Sequence, residues 1–534
     1  TRTGDAETNP RFLAGDGRIA YTRGGAVYIH ELASGLTWQP AELRAEKDPA
    51  EPKEPGYLEE KELRLFDVVR DRKEQREGAR EAERAEQRED PTRAPLPWYL
   101  GEGVEIVESV LSPNGEWMLV LTRPKGGGEP GKRPPMAEFV TESGYVETRE
   151  VRPFVGTPRP VNPTVLLLDL KKHEKHEIDL TALPGIHDDP LKELREKAAK
   201  AKKDGKDAKD SKDSKDSKDG KDKKEEKDVK KDDKPAARVL EMGPIVWSDD
   251  GSRVALLFWS YDNKDRWIAT LEPPSAKLVT RHRISDPAWV NEYDFFDIGW
   301  LKDDETLWYL AEDTGYSHLY VLPTGEKGAK ARQLTRGKFE VNAPVLSRDG
   351  KSFYYRANAT HPGSFDIFRV DIASGRSEQV SRMGGLTSYV LSPDETRLLL
   401  TNSQITRPDE LFVQAAQPGA EPRRLTNTVR QEFLAEDWTV PEIVGVPSSH
   451  VKDPVWSRVY TPKDFDPSRK YPAVMFVHGA GYLQNAHSGW STYFREFMFH
   501  TLLTQHGYVV LDMDYRASSG YGRDWRTAIY RQMG

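Results

Sequence analysis

LSRDGKSFYYRA (346–357) decides the fold: an apolar residue, a Ser-x-Asp-Gly turn, then an alternating run of apolar residues. Asp-Gly favours a tight hairpin turn, and period-2 alternation is the mark of a strand with one face on a core. The same grammar recurs as LAGDGRIAYTR (13–23), LSPNGEWMLVLTR (111–123), WSDDGSRVALLFW (247–259), WLKDDETLWYLAE (300–312) and LSPDETRLLLTN (391–402). A second element follows, a strand closing in a polar turn, as in VYIHELASG (27–35) and IFRVDIASG (367–375). A third is a Leu-Thr ending, in QLTRGKFEVNAP and RRLTNTV. The last three repeat intervals are roughly 45 to 50 residues, the length of a four-stranded propeller blade. Helical solenoid repeats would need 3.6-period faces, which are missing. The expected fold is therefore a β-propeller over 1–436, seven or eight blades in the full protein. Because TRTGDAETNPRFLAGDG matches LTRGKFEVNAPVLSRDG, the chain is expected to open inside a repeat.

Two intervals carry insertions. Residues 52–98 hold a charged helical stretch with Leu58, Leu63, Leu65, Phe66 and Val69 as its expected apolar face. Residues 191–234 run into alternating Lys and Asp with almost no apolar residue, and are expected to be a disordered, solvated loop.

After about residue 437 the grammar changes. Ala473–Val477 reads as a continuously buried strand ending in a Gly-rich turn, followed by a helical stretch with Tyr493, Phe494, Phe497 and Leu502. A second strand, GYVVLDMDY (507–515), leads into RASSGYG. Strand, helix, strand with Gly-rich turns opens a parallel α/β sheet, here expected over 437–534, and ligands of such sheets bind at the strands' carboxyl ends. The terminal WRTAIYRQMG looks like a helix stopped in its middle, so truncation at both ends is expected.

Composition narrows the chemistry. The 534 residues carry a net charge of −8, which argues against nucleic acid as a partner, and contain no Cys, which removes disulfides and thiolate chemistry. No apolar run approaches a membrane span, and the opening residues do not form a signal segment. The 12 His fall into no metal-ligand spacing, so neither a metal nor a cofactor is expected.

YPAVMFVHGAGY followed by GYVVLDMDYRASSGYG resembles the prolyl oligopeptidase family, with Ala517 where the family usually has Gly. VNPTVLLLDL (161–170) and EDTGYSHLYVL (312–322) are similar to propeller segments of its dipeptidyl peptidase IV branch. The resemblance implies the start of an α/β-hydrolase domain, peptide substrates, and a serine peptidase whose propeller restricts access. It also implies export to the periplasm or cell exterior, and a homodimer stays open. The family's nucleophile sits on a strained Gly-x-Ser-x-Gly turn. No such turn is present, so the Ser, Asp and His of the triad are expected outside the chain and the chain itself is expected to be inactive. By strand alignment the oxyanion side falls on His478 and Gly479, with Tyr482 or a backbone N–H as further donors. The branch's amine-anchoring glutamates are matched in place by Glu59 and Glu60, although a solvated helix face is the favoured reading of that Glu-rich helix. His318 is expected to pack within a blade. A non-catalytic propeller scaffold and an acyl hydrolase or esterase are the alternatives.

Overall fold

The computed structural model describes residues 4–49, 57–90, 93–128, 131–154, 161–200, 236–291, 295–326 and 328–533. Of the tract expected to be disordered, 191–234, residues 201–234 lie outside them, whereas 192–200 are helical, a correction to that expectation. Two compact units divide the chain, one of residues 1–242 and 258–287, the other of 243–257 and 288–534.

Among the described residues the six repeats become six four-stranded antiparallel meanders. Their strands are Glu7–Phe12, Arg18–Arg23, Ala26–Glu31 and Thr37–Trp38; then Val104–Leu111, Trp117–Pro124, Thr164–Asp169 and Glu174–Glu177. The third has Leu240–Trp247, Val254–Ser260, Asp265–Leu271 and Val279–Ser285, and the fourth Ile298–Trp300, Thr306–Ala311, His318–Pro323 and Arg332–Gln333. The last two, 341–379 and 386–424, are linked by one parallel bridge, Phe365 to Leu386.

The repeat residues earn their places. In four turns a Ser Oγ donates to an Asx side chain two residues on and accepts an N–H five residues on. Ser347 bonds Asp349 at 2.6 Å and receives Ser352 N–H at 3.0 Å; Ser112, Ser248 and Ser392 do the same with Asn114, Asp250 and Asp394. The turn's left-handed position is Gly350 (φ 70°) in one repeat, and Asp304 and Glu395 (both φ 56°) where the sequence has no Gly. The Leu-Thr ending is equally mechanical: Thr335 Oγ1 accepts Leu319 N–H at 3.0 Å, and Thr426 Oγ1 accepts Leu411 N–H at 2.9 Å. A strand-interior N–H is thus satisfied without a strand partner.

The helical insertion forms helices Tyr57–Leu65 and Asp67–Glu89, broken at Phe66. Its expected apolar face is not buried. Leu58, Leu65 and Phe66 are 73%, 63% and 57% exposed, Leu58 and Leu65 both on the first helix.

The last 90 residues fold as a mixed sheet in the order Glu442–Val446, Val455–Tyr460, Val509–Met513, Ala473–Phe476. Ala473–Phe476 and Val509–Met513 are parallel, joined through helix Phe494–Gln505, giving the expected strand–helix–strand unit. Ala473–Phe476 is not continuously buried, however. It is an edge strand, and Met475 and Val477 are 60% and 57% exposed. The helix buries Phe497, His500, Thr501 and Thr504 rather than Phe494 and Leu502. Tyr460, Phe497 and Val510 form the local core.

Candidate active-site cavity

The parallel strands end at Phe476 and Met513, and the residues just beyond them build the site. Tyr515 Oη donates to the His478 carbonyl at 2.8 Å, tying the two strand ends together. Asp514 is the hub beneath: its carboxylate accepts N–H from Asn485 (2.7 Å) and Ala486 (3.0 Å) and O–H from Tyr521 (2.6 Å). A second brace is Arg458, almost fully buried, which donates to the carbonyls of His487 and Gly489. Burial, then the Arg458 charge, lowers the His487 pKa well below its ordinary value. Burial pushes the Asp512 carboxyl up to about 6. These contacts fold the 478–491 loop over the sheet's end.

His478 sits at the expected strand end, but its side chain points inward. The imidazole is fully buried, with Nε2 2.8 Å from Asp514 Oδ1 and Nδ1 2.8 Å from the Gly479 carbonyl. Burial opposes its charging, but the Asp514 hydrogen bond and charge outweigh that and raise its pKa. Both ring nitrogens face acceptors, which suits the imidazolium and leaves no N–H for a substrate oxygen. The expected His478 donor facing the substrate carbonyl is corrected on this ground. Gly479 is exposed beside it, and Tyr482 is 58% exposed on the wall of the cavity.

Ser518 lies 3.4 Å from His478 Nε2, close to Asp514, and the trio superficially resembles a catalytic one. Its geometry is wrong. Aspartate and serine share one ring nitrogen, whereas a base must hold its orienting carboxylate on one nitrogen and the nucleophile on the other. Ser518 is fully buried and donates to the Tyr515 carbonyl at 2.8 Å.

Above the loop is a cavity of about 480 Å³, within the size range of small-molecule sites. One wall is the C-terminal α/β segment, with Tyr482, Gln484, Ser519 and Gly520; the other is blade residues, including Arg356 and Glu340. Sequence reading missed its charged end. Arg526 makes a bidentate pair with Glu312, both contacts 2.9 Å and both side chains at most 5% exposed. Beside them Glu340 accepts N–H from Ser317 at 2.7 Å and from Gly522 at 2.9 Å. Burial, with the Glu312 charge adding to it, pushes the Glu340 carboxyl up to about 7. No motif links residues 312, 340 and 526, so only their pairing in space reveals them.

Of the other expected positions, His318 packs within its blade, bonded to Thr335 Oγ1 (3.1 Å) and the Gly337 carbonyl (3.0 Å). Glu59 and Glu60 lie on helix Tyr57–Leu65 of the first unit, Glu60 exposed; the Glu59 side chain lies outside the described part. Among the described residues no cluster of three or more His, Asp or Glu could hold a metal, and no helix is long and apolar enough to cross a membrane.

Comparison with known proteins follows this architecture. Residues 216–409 match the model of the Dipeptidyl peptidase IV (DPP IV) N-terminal region, and 494–534 that of the Prolyl oligopeptidase family. The "Uncharacterized peptidase YuxL" of Bacillus subtilis is 27% identical over 188 residues, 35% of this chain and 26% of the relative. "Probable dipeptidyl peptidase 4" of Aspergillus flavus is 23% identical over 310 residues, 55% of this chain and 39% of the relative. The crystal structure of Porphyromonas gingivalis dipeptidyl peptidase 4 covers 99% of this chain with a TM-score of 0.58 and 14% identity, a likeness of fold. The chain spans 60% of that protein's length.

Proposed function

We propose that this chain, which matches a dipeptidyl peptidase IV N-terminal region over 216–409 and the start of the prolyl oligopeptidase domain over 494–534, is part of a serine-type peptidase of that family acting on short peptides. One observation carries the reading: the 480 Å³ cavity lies beyond the carboxyl ends of the two parallel strands and is closed on its far side by blade residues. A peptide entering it meets the 479–482 loop first, so backbone N–H groups of that loop and the Tyr482 hydroxyl are the proposed oxyanion donors. The blades limit substrate size by forming the opposite wall. Neither serine of the RASSGYG turn is the nucleophile in this proposal: Ser518 is buried and turned into its own loop. Export across the cytoplasmic membrane belongs to the same proposal.

A fluorophosphonate probe tests it. The whole protein is expected to label stoichiometrically and to cleave short peptides, with no label on Ser518 or Ser519 in this chain. Label mapped to either serine would overturn the assignment, and a whole protein that hydrolyses only esters would favour an acyl hydrolase.

A further inference from the structure

In the second meander, strands Thr164–Asp169 and Glu174–Glu177 are joined by a turn over residues 170–173. His173 N–H closes it on the Asp169 carbonyl at 2.8 Å. In the first and fifth meanders Gly35 and Gly375 make the same bond, to the carbonyls of Glu31 and Asp371 at 2.9 and 2.8 Å. All three residues are left-handed, with φ 60° at His173, 72° at Gly35 and 70° at Gly375. Glycine is the undemanding residue there, because a Cβ is disfavoured in that region, so a histidine in its place points to a use for the ring. The ring lies on Trp98 of strand Pro97–Tyr99, centroids 4.0 Å apart and planes 17° from parallel. Its Nε2 is 3.4 Å from the Leu96 carbonyl.

His173 lines a cavity of about 710 Å³ whose other side is helix Asp67–Glu89. The helix contributes Arg80, Arg84 and Arg88, four residues apart and so on one face, spanning about 12 Å along its axis. Arg84 and Arg80 lie 3.2 and 3.9 Å from one carboxylate, that of Asp48, and Arg88 donates to the Lys172 carbonyl at 3.4 Å. Glu81 and Glu83 also border the cavity, but both are exposed, where water and salt screen their charge. Burial lowers the His173 pKa, and the charges of Arg88 and Arg84 press it lower, so the field at the ring is positive. From this arrangement we infer that the cavity binds a multiply charged oxyanion, a polyphosphate or polycarboxylate, held by Arg80, Arg84 and Arg88 against the His173 ring. A guanidinium offers a planar fork that matches phosphate or carboxylate oxygens. Three of them along one helix face suit a ligand with several anionic groups better than a single small ion. An anion beside His173 also favours its imidazolium, which adds a donor to the site. All these residues belong to the first unit, and none lines the cavity that supports the peptidase reading.

Titration calorimetry of the full chain with tripolyphosphate, and separately with citrate, tests this. One saturable site is expected for at least one of the two, and the tighter of them tells a phosphate ligand from a carboxylate one. Arg84→Gln and Arg88→Gln should each weaken binding by about tenfold, the worth of one charge-assisted contact. His173→Gly restores the residue that the first and fifth meanders use, so it should melt no lower than the native chain and still bind several-fold more weakly. Arg72→Gln, exposed on the same helix and outside the cavity, removes the same charge and should leave binding unchanged. No saturable binding of either anion up to about 1 mM overturns the proposal. So does an Arg72→Gln loss equal to that of Arg88→Gln, which would mark a diffuse charge effect. Native affinity in both Arg88→Gln and His173→Gly overturns it as well.

Discussion

Replacing Arg526 by Met would leave the Glu312 carboxylate, 2% exposed, without the guanidinium that now takes both its oxygens at 2.9 Å. Removing one partner of a buried pair costs about 3–5 kcal/mol, chiefly because the surviving charge stays desolvated. The loss should depend on pH through Glu340. That carboxyl is raised by burial from 4.5 to about 7 in the folded chain. The folded state therefore holds a proton that the unfolded state has lost between these values. Stability from this source is full below about pH 4.5, declines as pH rises, and levels off above pH 7, a span of at most about 3 kcal/mol. Arg526 opposes the upward shift, so its loss raises the Glu340 pKa further and extends the decline above pH 7. Hydrogen exchange of the segments around 312–322 and 515–533, measured at pH 5.5, 7 and 8.5, reads the local opening directly. Arg526→Met should open more at pH 8.5 than at pH 5.5, and Glu312→Gln combined with Arg526→Met should recover most of the loss. A penalty below about 1 kcal/mol, or one equal at all three pH values, would refute the claim that this pair is held against a buried uncompensated carboxylate.

His478→Ala should lower thermal stability by about 2 kcal/mol or more, since it strips a charge-assisted partner from buried Asp514; a full-stability variant with depressed turnover in the whole protein would restore the oxyanion role. Gly350→Ala forces a side chain into φ 70° with its Cβ 2.9 Å from Lys302 Cγ, and denaturation should find a loss of about 1–2 kcal/mol. Gly363→Ala would place a Cβ 2.4 Å from the Ala486 carbonyl oxygen, so chymotrypsin should cut the 480–492 loop, at Tyr482, Leu483 or Trp490, faster in the variant while blade melting changes little.

The blades were legible because their information is local. A Ser-x-Asp-Gly turn, an alternating strand and a Leu-Thr ending each make their hydrogen bonds within a few residues or to the adjacent strand, so the repeat announces itself six times. The strand–helix–strand opening was legible for the same reason. Burial was less so: Ala473–Phe476 is an apolar run and the charged helix containing Leu58 carries an apolar stripe, yet whether either is covered depends on its neighbours in space. The site was half visible. Sequence located the strand end at His478, but the orientation of its ring is decided by Asp514, 36 residues on, through a hydrogen bond that no spacing encodes. Glu312, Glu340 and Arg526 carry no signature because charged residues are common, and what distinguishes these three is shared burial. The sequence by itself determined the repeat, the change to α/β grammar and the family resemblance. Only the tertiary structure decided which polar groups are desolvated together, because electrostatic energy depends on distance and on exclusion of water, neither of which runs along the chain.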